Sequence, residues 1–220
     1  VIAIIAILAA MLFPAIGVAK RKAAEASARA DMQNIALAIG RYEADYNGRF
    51  PAAGIQTGTN DVTFGYIAGG TLNGVTAIAT NSGVIAILMD LEYDKQTNAV
   101  KTVNFGHVLN PRRIANLNAK FSSDPTSGGV DALLEYRDPW GSPYVISMDT
   151  GLDDTCYDQL YSRTSVSQGG PYGLSNPSGA LNRFGYTGKF MIWSLGADRK
   201  ANPNQKAKEG DNKDNLLSWQ

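Results

Sequence analysis

The first 19 residues, Val1 to Ala19, carry no polar side chain, and the first charges follow at once as the cluster Lys20, Arg21 and Lys22. A helix built from such a run is apolar on every side, so it cannot lie on the surface of a soluble domain. At ~1.5 Å rise per residue it spans roughly 28 Å, just short of a bilayer's hydrocarbon thickness. A secretory leader places its positive charges ahead of the apolar run, and here they come after it. A simple membrane anchor and a helix packed among copies of itself both fit the pattern.

From Lys20 to Asn47 the pattern changes to one face. Ala28, Met32, Ile35, Ile39, Tyr42 and Tyr46 are spaced at alternating intervals of four and three, while Arg29, Asp31, Arg41, Glu43 and Asp45 lie off that stripe. This is the period of an amphipathic helix. One long helix is therefore predicted, wholly apolar in its first half and needing a body to pack against in its second. Asn47-Gly48 ends it and Pro51 prevents it restarting. Pro14 removes one rung of the hydrogen-bond ladder at Ala10, and Gly17 weakens the same stretch. Either a kink or a local melting of residues 10–18 within an assembled bundle would accommodate both.

Further on, residues 52–82 are rich in Gly, Thr, Asn and Ala and read as a long loop with a short strand near Val62 to Ile67. Asn81-Ser82 before Val84 to Leu91 predicts a short buried helix. Residues 110–121 read as a connector. Tyr144 to Met148 and Phe190 to Ser194 read as strands bounded by Pro/Gly turns. Between them residues 149–188 form a long polar excursion, read as an insertion of the kind that often carries surface function.

Composition narrows the function only by exclusion. Twenty basic residues balance 20 acidic ones, which leaves no electrostatic footprint for nucleic acid. A lone Cys156 excludes an internal disulfide and a CxxC site. His107 is the single histidine, so a two-histidine metal site is impossible and a Ser-His-Asp triad would hang on one loop residue. Neither a phosphate-binding GxxxxGK loop nor a GxGxxG turn is present. Asp149, Asp153, Asp154 and Asp158 form an acidic cluster that reads as solvated or as a cation site. Tyr136, Tyr144, Tyr157, Tyr161 and Trp140 read as core and contact aromatics. The sequence carries no catalytic constellation, and no enzyme activity is expected.

Four stretches in order carry a family resemblance: VIAIIAILAAMLFPAI, Tyr46-Asn47-Gly48-Arg49-Phe50-Pro51, Asp138-Pro139-Trp140-Gly141-Ser142-Pro143-Tyr144, and Ser194-Leu195-Gly196-Ala197-Asp198 running on to Trp219. The chain resembles the type IV pilins and, in its later motifs, the major pseudopilins of type II secretion. Two departures stand out. The usual methylated Phe and the Glu four residues after it are missing, as though Val1 falls about eight residues into the family helix. Restoring those residues would lengthen the apolar segment to roughly 40 Å. The C-terminal loop, which binds calcium in the resembling proteins, here also contains Arg199, Lys200, Lys206, Lys208 and Lys213.

The resemblance implies an α+β fold in which the long N-terminal helix packs on a small antiparallel sheet with long loops. The chain then divides into an apolar helix (1–22), an amphipathic helix half (23–50) and a globular head (51–220). It implies a filament core of Val1, Ile2, Ile4, Ile5, Leu8, Met11, Leu12, Phe13, Pro14 and Ile16. It also implies a calcium site from the Leu195 carbonyl with Asp198, Asp211 and Asp214, against the reading of a plain solvated loop. Its partners would be further copies of itself, a prepilin peptidase and an assembly motor. Such a subunit waits in the inner membrane and then joins a periplasmic or cell-surface filament. The alternative is a monomeric membrane-anchored binding domain or tip adhesin.

Overall fold

The computed structural model describes residues 2–55, 58, 60–67 and 72–220, with side chains from Ile16 onward. Helix α1 (Ile2–Asp45) runs 44 residues, about 66 Å at helical rise, and its helical assignment continues through Pro14 and Gly17. Its stripe behaves as the spacing predicts. Ala28, Met32, Ile35, Ala38, Ile39 and Tyr42 are buried and Tyr46 is partly so. The helix ends in a left-handed turn, with Asn47 at φ 55° and Gly48 at φ 81°, and Gly48 N–H donates to the Glu43 carbonyl at 2.9 Å. That bond satisfies one of the carbonyls every helix end leaves open.

The head follows in the order β1 (Asp61–Phe64), β2 (Val75–Ile78), α2 (Ser82–Leu88), β3 (Gly129–Val130), β4 (Tyr136–Arg137), β5 (Val145–Met148), β6 (Thr155–Cys156), α3 (Thr164–Ser167), β7 (Tyr186–Thr187), β8 (Phe190–Ser194) and β9 (Leu216–Leu217), with three short 3-10 turns between. The main sheet has the order β2-β1-β5-β8-β9. It is mixed rather than antiparallel. β1 pairs β2 in parallel, Asp61 opposite Val75, while the other three pairings are antiparallel. The parallel edge is unforeseen because β2 is only four residues long and sits inside a Gly- and Thr-rich stretch with no sustained alternation. The pairs β3–β4 and β6–β7 form separate two-stranded sheets.

Alternation along the strands divides the core in two. Val62, Phe64, Ile146, Met148, Ile192 and Leu216 face α1, α2 and Tyr136. Val145, Met191, Trp193 and Leu217 face the other way, onto Cys156, Leu160, Tyr161, Val166 and Leu174. Residues 149–188 are thus not a surface excursion alone. They roof the second face of the sheet, because a strand whose inward and outward positions are both apolar must be covered twice. The fold is α+β, with the sheet between a helical layer and this irregular layer.

Asn81 illustrates how loosely the local signal maps to the role. It precedes α2 as expected, but its side chain does not cap the helix. Its amide donates to the carbonyls of Tyr136 and Tyr144 at 2.9 and 2.8 Å, and its oxygen accepts from Tyr136 N–H at 3.0 Å. One fully buried carboxamide therefore joins β4, the start of β5 and α2.

Candidate functional site

Two regions hold the site residues singled out by sequence: the N-terminal part of α1 and the C-terminal loop. Among the described residues of α1, Ala28 is the first that the head buries. Residues 16–23 are exposed, Ile16 at 41% and Val18 at 59%, and so are Lys20, Arg21 and Lys22. Arg21 pairs with Glu25 one turn on, at 3.0 Å, in an exposed contact worth little. Among the described residues no helix is long and apolar enough to cross a membrane. Of the expected filament-core residues, only Ile16 falls within the described side chains. Val1 lies outside the described residues, and the side chains of Ile2, Ile4, Ile5, Leu8, Met11, Leu12, Phe13 and Pro14 are likewise outside the description.

The amphipathic half is fixed to the head by polar groups as well as by the stripe. Asp31 accepts from the hydroxyls of Tyr136 and Tyr144 at 2.9 and 3.0 Å. Both tyrosines are buried and meet edge to face at 5.2 Å. Burial first, then the Asp31 charge, pushes both phenols far above their ordinary range, so they remain donors at any physiological pH. Sequence reasoning set Asp31 aside as an off-stripe surface acid. Its one clue is its position beside Met32. At the helix end Tyr42 donates to the Leu109 carbonyl at 2.5 Å and Tyr46 to Asn110 Oδ1 at 2.6 Å.

Two of the motif stretches meet in space. Asp138 is fully buried; its Oδ1 accepts from Trp140 and Ser142 N–H at 3.0 and 2.9 Å, closing the turn, and its Oδ2 accepts from Ser194 Oγ at 2.6 Å. Ser194 Oγ in turn accepts from Gly196 N–H at 3.1 Å. Gly196, at φ 73°, packs its α-carbon against the Asp214 carbonyl so closely that a Cβ would collide with it. The DPWGSPY turn thereby positions the start of the C-terminal loop.

Within that loop the structure brings Asp198 and Asp214 together: Asp214 Oδ2 accepts from Asp198 N–H at 3.1 Å. Asp214 Oδ1 is buried without a hydrogen-bond partner. Asp211 Oδ2 accepts from Asn202 Nδ2 at 3.3 Å, and Asp198 Oδ1 from Lys200 N–H at 2.9 Å. Partial burial, then the charges of Asp214 and Asp211, raise the Asp198 carboxyl. Leu195 is half-buried at the head of the loop, against the second core. Of the basic residues, Lys206 pairs with Glu209 at 3.5 Å and Lys208 lies over the Tyr172 ring, both outside the Asp198–Asp214 contact. Among the described residues no three acidic, histidine or cysteine side chains converge as a ready metal site. Among the loop's described carboxylates, Asp214 Oδ1 is the one oxygen buried without a hydrogen-bond donor.

The acidic cluster of the 149–158 region is not uniformly solvated. Asp153 and Asp154 are exposed, but Asp149 and Asp158 are buried. Asp158 accepts from Ser147 Oγ at 2.6 Å, Trp193 Nε1 at 3.0 Å, and the N–H groups of Leu160 and Tyr161 at 2.8 and 2.9 Å. Asp149 accepts from Asp153 and Asp154 N–H at 3.3 and 2.8 Å. Nearby, Asp61 accepts from Gly151 and Tyr157 N–H at 3.1 and 2.7 Å. Burial dominates over those bonds and pushes the Asp61 carboxyl up to about 7, with the charges of Asp149 and Asp153 adding to the rise. A carboxyl raised in the folded state favours folding most below its unfolded value near 4, and the advantage is lost as pH climbs through 7. Thermal melting of the head is therefore expected to weaken from pH 5 to pH 8. Asp61→Asn should flatten that slope; an unaltered slope would assign the pH dependence elsewhere.

His107 lies in the loop after α2, with Nδ1 2.8 Å from Asp90 Oδ1 and Nε2 3.3 Å from Glu92 Oε2. These two contacts hold its loop against the segment that follows α2. Compared with family models, with curated proteins and with solved structures, the chain finds no match.

Proposed function

We propose that the chain is the structural subunit of a type IV pilus-like or type II secretion-like filament, polymerising through its N-terminal helix. One observation carries the reading. Among the described residues the head buries α1 only from Ala28 to Tyr42, although the helix extends about 39 Å ahead of Ala28, and the first 19 residues of the chain are entirely apolar. In water such a rod stays dry only against lipid or copies of itself. At ~25 cal/mol per Å² its burial is worth tens of kcal/mol per subunit as an upper bound. The coupling of two motif stretches through Asp138 and Ser194 supports the pilin-like reading, since the residues that carry the resemblance act together. The C-terminal motif favours a secretion pseudopilus; the second layer over the sheet leaves room for a decorated surface fibre.

The test is negative-stain imaging of the full chain as detergent is withdrawn. Long fibres of uniform width are expected. A monomeric membrane-anchored binding domain, the competing reading, would give monomers or micelles at every concentration.

Calcium belongs to the same proposal. Asp198, Asp211 and Asp214 with the Leu195 carbonyl would hold the ion, which would neutralise the loop's carboxylates and fix it to Ser194–Gly196. Calcium is then expected to raise the melting temperature and EDTA to lower it, by ligand linkage. Asp214→Asn should abolish the difference. Identical melting curves with and without EDTA would leave the loop a solvated surface.

A further inference from the structure

We propose that the heads interlock head to tail, Leu152 of one copy entering an apolar socket on the next; this deepens the polymer reading and rests on it. Leu152 is 58% exposed at the tip of the loop that follows β5, and it sits at φ 60°, a region that a branched side chain adopts only when its surroundings impose it. Here they do. Asp61 holds Gly151 N–H, Asp149 holds Asp153 and Asp154 N–H, and the Asp154 carbonyl accepts from Gly188 N–H at 3.0 Å. Buried carboxylates thus fix a loop whose only large apolar side chain points to water, flanked by the exposed acids Asp153 and Asp154. Pre-organisation of this kind lowers the entropy lost on binding.

The socket is a cavity of about 330 Å³ lined mainly by apolar groups, among them Phe64, Ile78, Val100, Val103 and Leu133. Val100, Val103 and Leu133 are 60%, 45% and 56% exposed, an apolar surface left open among the described residues. Its charge complements the knob. Lys101 lines it, and Lys95 is tied by its backbone to Ala132, next to Leu133. The one acid in the lining, Asp94, is buried and already accepts from Thr97 N–H and Oγ1. The acid-flanked leucine is thus matched by an apolar cavity with one exposed lysine on its rim, Lys101, whose ammonium lies over the Phe105 ring at 3.9 Å.

The placement decides the symmetry. Asp61, which holds the knob loop, begins β1; Phe64, in the socket, ends it. Knob and socket therefore lie at opposite ends of one strand. A contact between unlike patches repeats from copy to copy and, unless the rotation closes a ring, builds an open chain.

The test uses the full chain carrying Leu152→Cys and Val103→Cys, assembled into fibres and then oxidised. Native Cys156 is fully buried and does not compete. A denaturing gel should show a ladder of dimers, trimers and longer species, absent from either single variant. Fibres without a ladder, or a band that stops at the dimer, would overturn the interlock while leaving the polymer reading intact. Absence of fibres from the unaltered chain would overturn both. Should the cysteine pair itself prevent assembly, charge exchange decides. Lys101→Glu and Asp153→Lys should each lower fibre yield several-fold at low salt and restore it together; yields that ignore both changes would refute the contact.

Discussion

Replacing Leu8 or Ile5 by Asp is expected to abolish fibres and leave the head's melting curve where it was. Both residues fall in the run of 19 without a polar side chain, ahead of Ala28, the first buried residue among those described. An unpaired carboxylate in a packed apolar bundle costs several kcal/mol per subunit. In a homopolymer that cost recurs at every copy, so even a modest value per contact stops elongation. The head lacks any described contact with this part of α1 and should not register the change. Normal fibre yield from either variant would mean that the apolar helix is not what holds the subunits together. Loss of fibres together with a lower melting temperature would instead mean that the N-terminal half of α1 supports the head.

Asp158→Ala is expected to be the most damaging single change within the head. The side chain is fully buried and ends a hydrogen-bonded chain in which Gln159 N–H donates to Thr63 Oγ1, Thr63 to Ser147 Oγ, and Ser147 to Asp158 Oδ2. Trp193 Nε1 and two backbone N–H groups converge on the same carboxylate. Truncation leaves four donors without an acceptor, at about 1–3 kcal/mol each before relaxation. Water entering the space recovers part of this, and a net loss of roughly 4 kcal/mol remains. For a domain of this size that lowers the melting temperature by about 10 °C. Trp193 fluorescence should shift as its indole loses its partner. A solvated surface aspartate would cost at most about 0.5 kcal/mol, so a shift of a degree or less would refute the hub.

What the sequence disclosed, and what it hid, follows one rule: periodic features are legible and long-range polar ones are not. The stripe from Ala28 to Tyr46 announces its buried face because helical spacing repeats over five turns. Val145–Met148 and Phe190–Ser194 announce themselves as strands because apolar and aromatic residues run between Pro or Gly turns. The second core has no such signature. Cys156, Leu160, Tyr161, Val166 and Leu174 are scattered among Asp, Ser and Gly, and only the sheet's second face brings them together. Asp158 looked like one of four surface acids because nothing local separates a carboxylate meeting Trp193 from one meeting water. Asp31 and Asn81 were hidden for the same reason, since their partners lie 55 or more positions away in the chain. Of the C-terminal loop, sequence located the carboxylates and the crowding lysines. It could not show that Gly196 presses against Asp214 or that one oxygen of Asp214 is left without a donor.

The central claim is that copies of the chain are held together by their apolar helices, and a map of the fibre at side-chain resolution tests it most directly. The account predicts residues 1–22 of neighbouring subunits in mutual contact along the fibre axis, with the heads on the outside and the basic cluster Lys20–Lys22 at the boundary between the two layers. A fibre built from heads alone, with residues 1–22 splayed outward or absent from the subunit contacts, would contradict it.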